Sequence, residues 1–579
     1  MNKYIKKYGF EYIFALILII IIAIAVTIKL GYVYSTNDDV MIKSIISGNL
    51  TGNPEKHVIN IMYISGVIGT FLYNIFPQVY WYDLFMVGLH YLCWYLFIVR
   101  MGQQCNGKKA KTMVMILATS FLLIVDLKYL VLHQYTILTT QLVSISIFWM
   151  LTSKVCRGAE YWIERVIILS TFISAMWLRK EAFLLALPVF LIGVLYELWV
   201  YEGSKPIKTV CIYVSILLLF ILSTYALEKI AYSDSEWAMF IRSHNARIQV
   251  YDYTGVPSRN DYIDEYEKMG IDEGDWMAID TYNCELAKDF NADKMEGIAE
   301  ISIQSQKSWR EVSSDIDLAK KSMYKVCASL YDNQIHPISF FLICAYLSAF
   351  LLCYKEDDKK SCILCGTILL FFVAVYVWLI NRGRVPERVI YGICFIQLSC
   401  LSAVITKNVK KLFCHIKKDK FWFGIMTLIS MVILGVSFIY SWQSIKEEKE
   451  VLLQKADDWE LVNEYFAQNT QNVYCIDTNS FSFSTEKMFS EKIESDNMVR
   501  MGGWILNSPL QEKRLENQGV DNLIEQLVYL DNYYIVQEEK KDTLWIEIIW
   551  ETNGYPVKAT IVDTIVTPNG RAFEVIQLQ

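Results

Sequence analysis

Two adjacent carboxylates follow the first long apolar run of the chain, in the sequence Ser35-Thr-Asn-Asp-Asp39. A carboxylate at the edge of a membrane can accept the proton of an incoming hydroxyl as a general base, or it can bind a divalent cation through its oxygens. Asn and Asp are also common helix N-caps, so Asn37 and Asp38 could instead cap a helix that starts near Val40. The sequence therefore makes Asp38 and Asp39 candidates for catalysis or cation binding, with helix capping as the alternative.

Two groups of basic residues interrupt later apolar runs, Arg179-Lys-Glu181 and Asn381-Arg-Gly-Arg-Val-Pro-Glu-Arg388. Ionisable groups at membrane depth are costly, so they pair with one another or face a functional cavity. Arginine binds phosphate through its planar set of donors, and these groups therefore predict a phosphate site. The alternative is that each arginine pairs with a neighbouring glutamate, Glu181 or Glu387. The candidates for substrate binding here are Arg179, Lys180, Glu181, Arg382, Arg384 and Arg388.

A short polar segment between two apolar runs contains Asp126, Lys128, His133 and Gln134. These residues would touch a substrate if the segment bordered the active cleft. A turn between two membrane spans must be polar in any case. We therefore predict a connecting turn here rather than a catalytic element.

The elements that must position these residues are membrane spans, because 54% of the 579 residues are hydrophobic and long apolar runs recur. A helix of about 20 apolar residues crosses a hydrocarbon layer. The first run follows Lys3, Lys6 and Lys7 and lacks a small-residue cleavage site after it, which predicts a retained anchor. The sequence predicts eleven spans, at 10–30, 79–99, 112–130, 134–151, 162–178, 183–200, 209–228, 337–354, 361–380, 389–406 and 421–441.

A further apolar run at 58–76 decides the predicted topology. Short segments rich in Lys and Arg favour the cytoplasmic side of a membrane. All such segments lie on that side only if 58–76 does not cross, so we predict a re-entrant or interfacial helix on the outer side. The N-terminus is then cytoplasmic, and the C-terminal domain lies outside the cell. The basic segments are 100–111, 154–157, 205–208, 355–360 and 407–420.

Two long polar segments, 229–335 and 442–579, are predicted to lie outside the cell, with net charges of −8 and −12. This acidity argues against nucleic-acid binding, which needs a basic surface. The first segment has mostly helical patterning, broken at 255–257 and at Gly270, and the second has the pattern of a small α/β domain with four short strands. The predicted domains are a transmembrane module at 1–228 with an outer loop at 31–78, the helical loop 229–335, a second transmembrane module at 336–441 and the α/β domain 442–579.

These features together resemble the GT-C superfamily of membrane glycosyltransferases, which includes protein O-mannosyltransferases and aminoarabinose transferases to lipid A. The resemblance covers roughly 1–441 and rests on Asn37-Asp-Asp39, the stretch His57 to Trp81, and Arg179-Lys-Glu181. The soluble parts are also similar to multi-spanning proteins of Gram-positive bacteria. The landmarks of that second resemblance are Asn245-Ala-Arg247, Asp252-Tyr253 and Met501-Gly-Gly-Trp504.

The resemblance implies a sugar donor linked to a polyprenyl phosphate in the outer leaflet of a bacterial cell membrane. The acceptor would be a hydroxyl of a cell-envelope glycan or lipid, and the transfer would be inverting. Asp38 or Asp39 would act as the base, or hold a divalent cation if one helps. The residues expected to bind the substrates, chiefly the phosphate, are His57, Arg179, Lys180, Glu181, Arg382, Arg384 and Arg388.

Two other functions are compatible with the sequence. A polysaccharide polymerase or a flippase for lipid-linked sugars would need the large outer loop and its arginines, but would give no role to Asp38 or Asp39. A non-catalytic envelope protein with a sensing domain is favoured if the arginines pair internally. The arrangement of the carboxylates and arginines in space separates these possibilities.

Overall fold

The computed structural model describes residues 2–153, 158–200, 204–310, 338–381, 386–416, 420–491 and 494–579. Most of these residues are helical, and two small sheets accompany the helices. The helices are α1 (Asn2–Lys29), α2 (Asn37–Ser47), α3 (Tyr63–Ile75), α4 (Trp81–Gln103), α5 (Lys108–Val125), α6 (Leu127–Val131), α7 (Tyr135–Thr152), α8 (Ala159–Leu178), α9 (Lys180–Val200), α10 (Ser204–Ala231), α11 (Ser235–Arg247), α12 (Ile263–Lys268), α13 (Glu273–Asp280), α14 (Ala292–Arg310), α15 (Ile338–Lys355), α16 (Lys359–Asn381), α17 (Glu387–Ile416), α18 (Lys420–Gln468), α19 (Pro509–Asn517), α20 (Leu523–Tyr529) and α21 (Leu544–Thr552).

Within the described ranges, nine helices are long and apolar enough to cross a membrane, and each coincides with a predicted span. They lie in α1, α4, α7, α8, α9, α10, α15, α16 and α17. The predicted span 112–130 is interrupted at Asp126, where α5 has ended and the short α6 follows. The predicted span 421–441 forms the first part of α18, a single helix of 49 residues. The chain is thus a helical multi-pass membrane protein, as the sequence predicts.

The run at 58–76 contains only the short helix α3, of 13 residues. At 1.5 Å per residue it spans about 20 Å, less than a hydrocarbon layer of about 30 Å. The Met62 amide and the Ser65 hydroxyl both donate to the carbonyl of Trp177, at the end of α8. Gly66 fits here because a Cβ atom at this position would lie 2.0 Å from the carbonyl oxygen of Lys56.

The C-terminal domain contains a five-stranded sheet, made of β3 (Val473–Ile476), β4 (Met498–Arg500), β5 (Tyr533–Glu538), β6 (Ala559–Val566) and β7 (Ala572–Leu578). The strands lie in the order β4-β3-β5-β7-β6. Strand β3 is parallel to β4 and β5, and the other two pairings are antiparallel. Four of its strands were predicted, whereas the three-residue β4 was not.

Apolar cores cover both faces of this sheet. Along β3, the side chain of Cys475 enters a core shared with residues of 246–299, while those of Tyr474 and Ile476 enter a core with the end of α18. Such alternation follows from the two-residue period of a strand. Residues 246–299 and the C-terminal domain therefore pack together through one hydrophobic core.

Asp126 is the polar centre of the membrane bundle and is fully buried. Its carboxylate accepts hydrogen bonds from four side chains on three long helices: His90 and Trp94 of α4, Gln141 of α7 and Tyr391 of α17. A buried carboxylate needs such donors because there is no water to satisfy it. The turn predicted from the sequence is therefore a structural anchor between three spans.

At the opposite end of the bundle, buried ion pairs join α4 to α8 and α8 to α9. Arg100, near the end of α4, binds Glu164 at 2.7 Å and also donates to Thr152, at the end of α7. Arg165 binds Glu197 of α9 at 2.6 Å. Charge pairs of this kind satisfy each other inside the bundle, so both ends of the bundle are fixed by polar contacts.

We expect Asp126→Asn to destabilise the membrane bundle. The amide would turn an NH2 group towards buried donors, and each hydrogen bond to the charged group contributes about 1.5–3 kcal/mol. The midpoint of thermal unfolding in detergent should fall clearly, whereas Asp264→Asn, at an exposed carboxylate, should leave it unchanged. Equal midpoints for the two variants would contradict the anchoring role of Asp126.

Candidate active site

A short parallel strand pair brings the two halves of the candidate site together. β1 (Val33–Tyr34) pairs with β2 (Leu132–His133), and the Ser35 amide continues the ladder to the carbonyl of His133. The chain segments that follow these strands therefore run side by side. As a result, the start of α2 lies next to the start of α7.

Asp39 is fully buried in the first turn of α2, and both of its carboxylate oxygens accept hydrogen bonds. One oxygen accepts from the Tyr82 hydroxyl at 2.9 Å and from the Tyr135 amide at 3.2 Å. The other accepts from the Thr36 hydroxyl at 3.0 Å. With its oxygens occupied in this way, Asp39 is a positioning group that fixes α2 against α4 and α7.

Burial raises the pKa of Asp39 from 3.8 to about 7, although the hydrogen bonds from Tyr82 and Thr36 act in the opposite direction. Removing a carboxylate from water disfavours its charged form. The nearby charge of Asp38 acts in the same direction as burial. Asp39 therefore changes its protonation state close to neutral pH.

Asp38 differs from its neighbour because its side chain is partly exposed. No side chain or amide of the described residues hydrogen-bonds to it, but its charge acts on Tyr135 and on Arg179. The alternative of helix capping by Asn37 and Asp38 does not hold, because the helix begins at Asn37 and Thr36 occupies the N-cap position. A carboxylate in the first turn is favoured by the helix dipole and here remains accessible.

Arg179 lies opposite the two carboxylates, in the connection between α8 and α9. Its guanidinium donates to the hydroxyls of Tyr135 and Thr136 and lies over the Tyr135 ring, 4.7 Å from the ring centre. The amide of that same Tyr135 donates to Asp39. Tyr135 thus connects the cationic and anionic halves of the site.

Pairing with adjacent glutamates accounts for these arginines only in part. Arg179 is 3.8 Å from Glu181, whose side chain is 59% exposed. Glu387 instead binds Lys128 at 2.9 Å and the Tyr129 hydroxyl at 2.6 Å. Arg388 acts electrostatically on Tyr135, the residue that Arg179 contacts. Arg179 therefore contacts Tyr135 directly, and Arg388 lies within electrostatic range of the same tyrosine. The predicted residues Arg382 and Arg384 lie outside the described residues.

His57 and Lys180 belong to a neighbouring group of side chains. His57 binds Glu55 at 2.8 Å and stacks on Trp237, with ring centres 4.6 Å apart. Both His57 and Lys180 act electrostatically on Glu228, whose carboxylate accepts from the Tyr63 amide. His57 therefore stabilises the chain before α3 rather than contacting the two carboxylates.

A divalent cation does not fit the arrangement around Asp38 and Asp39. The oxygens of Asp39 already accept three hydrogen bonds, and the cationic Arg179 lies within electrostatic range of both carboxylates. Across the described part of the chain, no three His, Cys, Asp or Glu side chains are grouped as metal ligands. The chemistry of the site is accordingly derived without a metal.

The C-terminal domain extends a segment into the site that the sequence analysis did not identify. The Thr485 hydroxyl donates to the Tyr34 carbonyl, the Tyr34 amide to the Glu486 carbonyl and the Met488 amide to the Tyr32 carbonyl. These contacts add residues 485–488 beside β1 as a further extended segment. The C-terminal domain thus adds a third segment to the strand pair that positions Asp39.

A buried charge network accompanies this segment. Lys43 of α2 contacts Glu486 at 3.4 Å and Asp83 of α4 at 3.9 Å, and the Tyr34 hydroxyl donates to Asp83. Burial raises the pKa of Glu486 to about 7, against the opposing charge of Lys43. Tyr82 of α4 donates to Asp39. Local sequence patterns do not reveal these partners because they are distant along the chain.

The comparisons with known proteins are limited to a distant likeness. No family model matches the chain, and no curated protein sequence matches it. The chain is similar to the crystal structure of ArnT from Cupriavidus metallidurans bound to undecaprenyl phosphate, with a TM-score of 0.38, and to the apo state of the same protein, with a TM-score of 0.37. In both cases the identity is 10% and the match covers 97% of each chain. A likeness this distant does not identify the function of the chain.

We expect the stability of the protein to depend on pH through Asp39. Because the folded-state pKa of about 7 exceeds the ordinary value of 3.8, the folded state holds this proton more tightly than the unfolded state. The stabilisation that this bound proton gives to the folded state is lost as the pH rises from 3.8 to about 7. Asp39→Asn should therefore reduce the fall in unfolding midpoint between pH 5 and pH 8, measured in detergent at each pH. Asp38→Asn is the matched control, and equal slopes in all three proteins would disprove the assignment.

Proposed function

We propose that this chain is a membrane glycosyltransferase of the GT-C type, which transfers a sugar from a polyprenyl-phosphate donor to a hydroxyl acceptor outside the cell. The observation that carries the proposal is that Asp39 and Arg179 both contact Tyr135, while Asp38 and Arg388 lie within electrostatic range of it. One side of the group can accept a proton, and the other can stabilise a phosphate. Inverting sugar transfer from a phosphate needs both activities at one place.

In the proposed reaction, the acceptor oxygen attacks the anomeric carbon of the sugar. The bond from that carbon to the phosphate oxygen breaks, and its electron pair leaves with the polyprenyl phosphate. The hydroxyl proton passes to the carboxylate of Asp38, which is the accessible member of the pair. Attack from the face opposite to the leaving group inverts the anomeric configuration.

The proposed roles of the other residues follow from their contacts. Asp39 positions α2 through Tyr82 and Tyr135 and does not itself receive the proton. Arg179 and Arg388 stabilise the phosphate as its negative charge grows, because preorganised cationic donors act most strongly where charge develops. By the resemblance, Arg382, Arg384, Lys180, Glu181 and His57 remain predicted substrate-binding residues.

An apolar surface beside the site suits the lipid part of such a donor. The short helix α3 packs against α2, α4, α8 and α10, and its Phe71 and Ile75 are exposed, as is the following Phe76. An exposed apolar helix too short to cross the membrane is stable where it contacts lipid. We infer that the polyprenyl chain lies in the membrane next to this helix.

The orientation of the chain follows from the charges at the two ends of the bundle. The carboxylates, Arg179 and Arg388 lie at one end of the helices, whereas the opposite end carries Arg100, the lysines of 108–111 and Lys359. Short basic segments favour the cytoplasmic side. We therefore propose that the site and the C-terminal domain face outwards and that the N-terminus is cytoplasmic.

Cysteine labelling in intact bacterial cells tests this orientation. A membrane-impermeant maleimide should label Glu539→Cys, at an exposed position of the C-terminal domain, without permeabilisation. Lys359→Cys, whose native side chain is 84% exposed at the other end of the bundle, should react only after permeabilisation. The unsubstituted protein gives the background labelling. The reverse pattern would invert the orientation.

We expect Asp38→Asn to slow sugar transfer by about 10²–10⁴-fold, because the variant lacks the proton acceptor. Arg179→Gln retains a donor for Tyr135 but loses the charge, so kcat/KM for the donor should fall by about tenfold or more. The measurement is the release of polyprenyl phosphate from sugar-loaded membranes, followed by mass spectrometry. Asp264→Asn is the control for expression and folding. Normal release from the Asp38 and Arg179 variants would favour a sensing or flippase function instead.

A further inference from the structure

Helix α11 joins the membrane bundle to the outer domain. Its residues Trp237 and Phe240 pack into the hydrophobic core of the bundle, whereas Ala246 packs into the core shared with the C-terminal sheet. The last turn of α11 therefore lies at the junction of the two cores. Interfaces of this kind are frequent locations of ligand sites.

Four residues meet at this junction, and we call them the junction cluster: His244, Arg247, Tyr282 and Trp504. Two of them belong to the motifs Asn245-Ala-Arg247 and Met501-Gly-Gly-Trp504, which the site around Asp38 does not use. The cluster thus brings together two sequence landmarks that are more than two hundred residues apart in the chain.

Arg247 has more hydrogen-bond donors than partners. One guanidinium nitrogen donates to the Tyr282 hydroxyl at 2.7 Å. Its buried Nε atom has no partner within the described residues, and no carboxylate there forms an ion pair with this side chain. Asp252 also acts electrostatically on Tyr282. A guanidinium offers five donors in a planar fork that suits a phosphate or carboxylate.

His244 supplies a second unused polar atom. Its side chain is about nine-tenths buried, and burial, followed by the charge of Arg247, lowers its pKa to about 3. The ring is therefore neutral at physiological pH. It is engaged by the backbone of Trp504, whereas its buried Nδ1 atom has no partner within the described part of the chain. An unprotonated Nδ1 can accept a hydrogen bond from a hydroxyl.

The backbone around the cluster has unusual conformations. Arg247 is followed directly by a seven-residue π-helix, Ile248–Thr254. Tyr282 has a φ of 63°, which is uncommon for a residue with a side chain. Gly502 is needed because a Cβ atom there would lie 2.0 Å from the Tyr282 carbonyl. Rare helix types and strained residues concentrate at functional sites, because the surrounding structure must impose them.

The cluster lies close to the candidate active site through Lys180. This residue directly follows Arg179, and its charge acts on His244. Its nearest acidic neighbour is Glu181 at 3.9 Å, and Glu228 also lies within electrostatic range. Lys180 is thus adjacent in the chain to Arg179 of the candidate active site and within electrostatic range of His244 in the junction cluster.

We propose that the junction cluster binds an oxyanionic group, a phosphate or a carboxylate, carried by the hydroxyl acceptor. Arg247 takes the oxyanion, and Nδ1 of His244 accepts a hydrogen bond from a neighbouring hydroxyl. This proposal rests on the proposed transfer reaction and adds the chemical class of the acceptor, a phosphorylated or carboxylated polyol or glycan. The donor phosphate has its own cationic group at Arg179 and Arg388, at the membrane end of the site.

Binding measurements on the full-length protein in detergent test the proposal. The probes for the acceptor are sn-glycerol 3-phosphate and glucuronate, and the probe for the donor is undecaprenyl phosphate. Arg247→Gln should weaken binding of at least one acceptor probe by about tenfold or more, as expected for loss of a charged hydrogen bond. Binding of undecaprenyl phosphate should be unchanged in this variant and weakened in Arg179→Gln.

Two further variants of arginines on α11 serve as controls. Arg242→Gln removes an exposed arginine that binds Asp293 and Glu296, and it should bind every probe normally. Arg247→Lys keeps the charge and should recover part of the binding, even if Arg247→Gln proves too unstable to purify. Failure of both acceptor probes to bind the native protein would overturn the proposal, as would equal losses in the Arg242 and Arg247 variants. Loss of undecaprenyl phosphate binding in Arg247→Gln would assign the cluster to the donor. Absence of undecaprenyl phosphate binding to the native protein would count against the transfer reaction alone.

Discussion

The end of the membrane bundle that carries Asp39 and Arg179 depends on the hydrogen bonds that satisfy Asp126. Its carboxylate joins α4, α7 and α17, and its backbone carbonyl accepts from the amides of Tyr129 and Leu130 as α6 begins. A carboxylate inside the bundle is tolerated only while such donors surround it. From α6 the chain passes directly into β2 and then into Tyr135. The position of Tyr135, and with it the distance between Asp39 and Arg179, therefore follows from one buried anion.

The two carboxylates of the site illustrate how environment separates adjacent residues of the same type. Asp39 is enclosed and accepts three hydrogen bonds, whereas Asp38 is partly exposed without such partners within the described residues. The first arrangement favours a positioning role, and the second favours proton transfer. The C-terminal domain helps to enclose the Asp39 side of α2, because residues 485–488 pair beside β1 and Glu486 contacts Lys43 of α2.

The sequence was sufficient for features that depend on local pattern. Nine spans and the short helix within 58–76 follow from the apolar runs, four strands of the sheet follow from their local pattern, and the structure confirms them. The resemblance to the GT-C superfamily predicted that Asp38, Asp39 and Arg179 belong to one site. Local pattern could not reveal the partners Tyr82, Tyr135 and Glu486, because tertiary packing alone brings them together. It also misassigned Asp126, since a buried anchor and an exposed turn residue have the same sequence signature.

Helix α18 runs without interruption from Lys420 to Gln468, from the last predicted span into the outer domain. At 1.5 Å per residue its 49 residues extend on the order of 70 Å. A continuous helix of this length acts as a rigid strut, so the sheet domain has no flexible tether on that side. The sheet domain therefore cannot swing away from the membrane bundle unless α18 bends and the hydrogen bonds of residues 485–488 beside β1 break.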